Sequence, residues 1–153
     1  MVNMNFETGT ANTARVHEMH ENFKGLEPVI TEGELYQYAE RVYELKRLVD
    51  SLIGYAERYA DDVWLMHEML SNGALDTEEG IEEYASMDGA RTLLHNALID
   101  SIAILSRALA RNGLDNEWVR ELTDGVNLNR AACGSFALVL VYHRYLDNIG
   151  KVS

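Results

Sequence analysis

Hydrophobic residues recur every three or four positions along a long stretch of the first half of the chain. The positions that share this spacing are Leu35, Tyr38, Val42, Leu45, Val49, Leu52, Ala56, Tyr59, Val63, Met66 and Leu70. A 3-4 spacing held over about five heptads is typical of a helix that packs along its length against another helix. The pattern therefore predicts one long helix that begins at Thr31 and ends near Ser71, before Asn72 and Gly73.

Two further main helices are predicted in the second half of the chain. Residues 90–111 are apolar on most sides, which is typical of a central helix that other helices surround. The narrow polar stripe of this helix consists of Asn96, Asp100, Arg107 and Arg111. Residues 127–148 predict a closing C-terminal helix, whose small residues allow close approach of a neighbour.

Shorter elements complete the predicted fold. Asp76 and Glu79 form a capping-box pattern for a segment that runs through Tyr84, and residues 86–89 interrupt it. Short helices are predicted over residues 12–23 and 115–122. The prediction is an all-α helical bundle, with residues 1–30 as a flexible arm and residues 31–150 as a single domain.

The length of the first main helix leads to a prediction about assembly. At 1.5 Å per residue it would extend roughly 60 Å, whereas a domain of this size is only about 40 Å across. Either the helix breaks, with Gly54 as the weak point, or part of its apolar seam pairs with another chain. We expect a homo-oligomer, most simply a dimer, since closed symmetric assembly is common. The predicted interface residues are Leu35, Tyr38, Val42, Leu45, Val49, Leu52, Tyr59, Val63 and Met66.

Charge and cysteine content exclude several classes of function. The formal net charge of -12 repels phosphate backbones and anionic membranes, so neither nucleic acid nor a membrane is an expected partner. The single cysteine, Cys133, lies among small residues and is predicted to be an apolar filler. The apolar stretches contain charged residues and the first 14 residues have no apolar core, so we expect a cytoplasmic protein.

A metal-dependent hydrolase is one alternative reading. Residues 95–100 (HNALID), followed by residues 113–115 (GLD), resemble the second half of the core of MazG-type nucleotide pyrophosphohydrolases. The resemblance implies that Mg²⁺ is held against a triphosphate by four carboxylates on neighbouring helices. The candidates are Glu79, Glu82, Glu83 and Asp100. In that family a glutamate precedes the aspartate by three residues, and here Ala97 occupies that position, so the carboxylate set is incomplete.

The same acidic residues have a simpler interpretation. Glutamates on the first turns of a helix commonly form a solvated face. Asp100 can then form an ion pair with Arg107 or with a basic residue of another chain.

A transition-metal site built from histidines is the other alternative. His67, His95 and His143 lie one on each predicted main helix, and Asp147 follows His143 by one turn on the same face. Three converging imidazoles would suit zinc, nickel or iron. No Glu-x-x-His spacing occurs, which argues against a di-iron bundle. Otherwise each ring is a half-buried group that a neighbouring carboxylate or carbonyl satisfies.

A further resemblance concerns the second half of the chain. Residues 95–107, Asn129-Arg130 and residues 136–138 (FAL) resemble a family of small bacterial proteins classed as a domain of unknown function. This resemblance implies a bacterial or phage origin and a helical fold, with no catalytic residues to carry over. The function predicted from the sequence is a homo-oligomeric interaction or regulatory protein rather than an enzyme.

Overall fold

Four helices account for most of the residues that the structure describes. A computed structural model describes residues 30–114, 117, 120 and 130–152, and in the last stretch the side chains of residues 132–144. The helices are α1 (Glu32–Arg41), α2 (Tyr43–Ser71), α3 (Glu78–Arg111) and α4 (Arg130–Val152), with a 3-10 turn at Ala74–Asp76. No strand occurs in these ranges, so the all-α prediction is confirmed.

The predicted first main helix is two helices that fold back on each other. It breaks at Val42, whose backbone is extended (φ −138°, ψ 117°), and Gly54 lies inside the unbroken α2. The prediction that Gly54 is the weak point is therefore wrong. The β-branched side chain of Val42 suits an extended conformation, and the reversal lets α1 bury Leu35. Tyr36 Oη then donates to Asp50 Oδ1 at 2.9 Å across the hairpin.

The 3-4 seam is the core of a single chain. The positions on it that are buried are Leu35, Leu45, Val49, Leu52, Ala56, Tyr59 and Met66. Tyr38, Val42 and Val63 are half-buried and pack against the same hydrophobic cluster. The nine residues predicted to face another chain are thus buried or half-buried within their own chain, and the fold explains their spacing without a partner. The sequence does not indicate the break at Val42, because the 3-4 hydrophobic spacing continues through that residue.

Helix α3 is longer than predicted. It runs without interruption from Glu78 to Arg111, through residues 86–89 where a break was expected. Thr77 is its N-cap rather than Asp76, and Thr77 Oγ1 accepts from the backbone N–H of Gly80 at 3.0 Å. Within the segment of the expected break, Asp88 accepts a hydrogen bond from the guanidinium of Arg91, one turn later in the helix. This pair supports the helical conformation.

Helix α2, and not α3, occupies the centre of the described bundle. It packs against α1, α3 and α4 along different faces. Arg144 of α4 binds both Glu32 of α1 and Glu57 of α2, so one guanidinium ties three helices together. Ala60 and Trp64 of α2 also pack on α4, in a second, smaller apolar cluster.

One described helix, α3, is long and apolar enough to cross a membrane by length and composition alone. A core helix of a soluble protein passes the same test. Only 33% of the residues in the most apolar 18-residue stretch of α3 are buried inside the protein.

Several elements of the prediction lie wholly or largely outside the described residues. They are the arm over residues 1–30 with its short helix over residues 12–23, the side chain of Asp147, and the short helix over residues 115–122, of which residues 117 and 120 are described and helical.

Candidate interaction surface

The four candidate magnesium ligands lie on one helix and do not converge. Glu79, Glu82 and Glu83 occupy the first two turns of α3, while Asp100 lies on the same helix. The glutamate nearest to Asp100 is Glu83, and it lies about 25 Å away along the helix axis at 1.5 Å per residue. Since a single cation binds ligands within about 2.5 Å, these carboxylates cannot share one ion. Asp100 is exposed, and Arg107 Nε donates to the carbonyl of Ala103 at 3.4 Å.

The three histidines each contact an aromatic neighbour instead of a common centre. His95 stacks on Tyr59 with ring centroids 5.3 Å apart, and His67 meets Trp64 edge-on at 5.8 Å. His143 packs edge-on against the adjacent Tyr142. Within the described part of the chain, no three His, Cys, Asp or Glu side chains form a group that could hold a metal ion.

A small packed junction joins α2, α3 and α4 around Tyr59. A Cβ added to Gly134 would lie 3.0 Å from Tyr59 Oη and 3.6 Å from His95 Nε2, so glycine allows α4 to approach these rings closely. Cys133 beside it is fully buried, and burial raises the pKa of its thiol to about 11. The thiol is therefore neutral and inaccessible at neutral pH, as expected for an apolar filler and not for a nucleophile.

The surface that stands out chemically is the exposed side of α3. At 3.6 residues per turn, a set of residues spaced by three or four falls on this side. We call it the outer face of α3, and it comprises Glu82, Ser86, Gly89, Leu93, Ala97, Asp100, Ile104, Arg107 and Arg111. All of them are exposed except the half-buried Ala97. Leu93 is 71% exposed and Ile104 46% exposed, so two large aliphatic side chains on this face contact water.

Charge along the outer face changes sign from one end to the other. Glu78 and Glu79 fall in the first turn of α3, next to Glu82, and Arg111 falls in the last turn. This arrangement also favours the helix itself, since acidic groups stabilise a helix N-terminus and basic groups its C-terminus. Leu93 and Ile104 lie between the two charged ends.

An open cleft of about 460 Å³ adjoins the basic end of this face. Ile104 and Arg111 line it from α3, and Arg47, Lys46 and Tyr43 line it from the start of α2. Arg111 donates to Glu44 at 2.6 Å, and this bond is the main reason why the pKa of the Glu44 carboxyl is lowered. Three basic and two acidic side chains line the cleft, in a protein whose net charge is −12.

The outer face of α3 was not predicted, because the apolar composition of residues 90–111 indicated a helix with other helices on all sides. Asn96, Asp100, Arg107 and Arg111 were identified as its polar stripe, but Leu93 and Ile104 were expected to be buried. The signal was present, since Leu93 and Ile104 share the 3-4 spacing of Asp100 and Arg107. A large aliphatic residue in register with a polar stripe indicates an exposed apolar position.

Comparison of the chain with protein-family models, curated proteins and solved structures found no match. Neither of the two resemblances seen in the sequence is therefore supported by a match, and function has to be argued from the surface itself.

Proposed function

We propose that this protein is a homo-oligomeric interaction protein without catalysis of its own, and that it associates through the outer face of α3. The observation that carries the proposal is the exposure of Leu93 and Ile104 on one face of α3, the one described helix that is long and apolar enough to cross a membrane. Large apolar side chains that share one exposed helix face with charged residues at both ends are typical of protein interfaces. The predicted self-association is thus retained, with a different surface from the seam.

The arrangement of the candidate catalytic residues supports a non-enzymatic role. The carboxylates of the pyrophosphohydrolase reading are spread along one helix axis, and the three histidines pack on separate aromatic rings. The open cleft beside Arg111 has no serine, threonine, cysteine or histidine among its lining residues, and its basic groups suit contact with an acidic surface.

Sedimentation equilibrium at tens of micromolar tests the proposal. We expect the wild-type chain to self-associate and Ile104→Glu to shift it to monomer, since the substitution places a carboxylate in the apolar part of the interface. Leu65→Glu is the matched control because Leu65 of α2 is exposed to a similar extent, 42% against 46%, and lies off the outer face. A monomeric wild type, or an equal effect of both variants, would overturn the proposal.

A further inference from the structure

We propose that the outer face of α3 pairs with the same face of a second copy in antiparallel orientation, around a two-fold axis beside Asn96 and Ala97. The inference rests on the self-association proposed above and adds the orientation and register of the two chains. A two-fold interface uses one patch twice, so the patch has to match itself when turned end to end. The outer face meets this condition in its charge and in its shape.

Charge selects the antiparallel orientation. In this register Glu82 of one copy lies opposite Arg111 of the second copy, and Ser86 lies opposite Arg107. Arg111 remains 58% exposed while it binds Glu44, and a guanidinium has five N–H donors, so it can bind a second carboxylate. A parallel pairing would instead bring the glutamates of the first turns together, which is unfavourable.

Shape agrees with the same register. Ile104 of one copy lies opposite Gly89 of the second copy, and a Cβ added to Gly89 would meet no atom within 4 Å. Gly89 therefore leaves a flat, open position on the helix into which the exposed Ile104 fits. Leu93 of one copy lies opposite Asp100 of the second copy, and the small side chain of Ala97 beside the axis allows the helices to approach to about 8–10 Å.

The cleft at the basic end extends the contact beyond the helix pair. Because it is open and adjoins Arg111, it lies where the first turns of α3 of the second copy arrive. Those turns carry four glutamates and no basic residue. Lys46 and Arg47 of α2 thus face an acidic helix end, which gives the cleft an occupant of matching charge.

Disulfide cross-linking of cysteine variants tests the register. A residue beside the axis lies next to its own copy, so Ala97→Cys alone should form a disulfide-linked dimer on oxidation. Ser86→Cys lies on the same face but about 30 Å from its own copy in this register, so it should not cross-link alone. A mixture of Ser86→Cys and Arg107→Cys chains should cross-link to each other. Wild type controls for Cys133, which is buried.

The outcomes separate this inference from the proposed function. Self-cross-linking of Ser86→Cys and of Ala97→Cys alike would show a parallel pair and overturn the inference. An oligomeric wild type in sedimentation, with no cross-link in any variant, would also overturn the inference and leave self-association in place. A monomeric wild type would contradict both the proposed function and this inference. Far-UV circular dichroism checks that each variant is folded, and Asn96→Cys provides a second position beside the axis.

Charge exchange provides an independent measurement of the same register. Glu82→Arg and Arg111→Glu should each raise the dimer dissociation constant about threefold, the size expected for an exposed ion pair. The double variant should restore the wild-type value, because the opposite charges again face each other. A double variant weaker than both single variants would contradict the antiparallel orientation.

Discussion

The two halves of α3 belong to one continuous helix but have opposite surroundings. The half that ends at Arg111 contributes six buried apolar residues to the core, which are Leu98, Ile99, Ile102, Leu105, Ala108 and Leu109. In the half that begins at Glu78, only Gly80 is buried, while Ile81 is 53% and Leu93 71% exposed. The first half therefore contributes little to the core beyond half-buried residues such as Leu94, which packs against the main hydrophobic cluster.

This difference shows that the apolar character of a segment does not decide its burial. The second half of α3 runs antiparallel to the start of α2, where Arg111 binds Glu44 and a shared apolar cluster forms. The first half extends along the end of α2, and its outward side has no described neighbour that buries it. Apolar surface left in this way is available to a partner.

Truncation of one leucine in each half should give the largest contrast. Leu105→Ala should lower the free energy of unfolding by about 2–5 kcal/mol, because Leu105 is fully buried and leaves a cavity. Leu93→Ala should change it by less than about 0.5 kcal/mol. Urea denaturation at submicromolar concentration measures both without a contribution from association. Equal losses would contradict the division of α3 into a core half and an exposed half.

A methyl group at the start of α3 should produce the next largest effect. A Cβ at Gly80 would lie 1.6 Å from the backbone carbonyl oxygen of Ala74. Gly80→Ala must therefore displace the turn before α3, at a cost of about 1–3 kcal/mol. Gly54→Ala is the control, since a Cβ there meets no atom within 4 Å, and it should stabilise the helix by about 0.5–1 kcal/mol. Thermal unfolding that changes in the same direction for both variants would refute this reading.

Removal of the N-cap should have a smaller effect that is confined to the first half of α3. Thr77→Ala removes the oxygen that accepts from the Gly80 N–H, and we expect a loss of about 1 kcal/mol. Amide hydrogen exchange should accelerate in the first half and remain unchanged around Leu105. Thr92→Ala is the control and should leave exchange nearly unchanged, because the Thr92 hydroxyl donates to the carbonyl of Asp88 and accepts from Arg91, both within the same helix.

Acid should have the smallest effect, at the opposite end of α3. The hydrogen bond from Arg111 holds the pKa of Glu44 below its ordinary value in the folded protein. The ion pair therefore stabilises the fold above the ordinary carboxyl pKa of about 4.3, and its contribution is lost as pH falls through the lowered pKa. Glu44→Gln should reduce the loss of stability between about pH 5 and pH 3. Glu40→Gln, on the exposed side of α1, is the control, and an equal reduction there would contradict the assignment.

Helix class and the positions of most core residues were predictable because periodicity is a local property. The spacing from Leu35 to Met66 identified residues that are buried, and the small-residue context of Cys133 predicted its burial correctly. The end of α2 at Ser71, before Asn72 and Gly73, was also predicted. Each of these depends on residues within one or two turns of each other.

The errors arose where a local pattern is compatible with two structures. Val42 has the seam spacing of a continuous helix, and the hairpin break there keeps that spacing. Residues 86–89 include a glycine and two polar residues, but pairing of Asp88 with Arg91 one turn later carries the helix through. The expected break placed Glu79, Glu82 and Glu83 on one helix and Asp100 on another. Because α3 is continuous, all four carboxylates lie along one helix axis and cannot form a single metal site.

The amino-acid sequence alone determined the helical class of the described residues and which side of α2 is apolar, since side chains three and four residues apart share a face of a helix. It does not show which apolar helix face packs against which other helix. Burial depends on surfaces that are distant in the sequence, and the folding of α1 and α3 onto α2 covers the seam from Leu35 to Met66 within one chain. The same packing leaves Leu93 and Ile104 exposed between acidic and basic ends. The surface that we propose for self-association therefore exists only because the more hydrophobic seam is already covered.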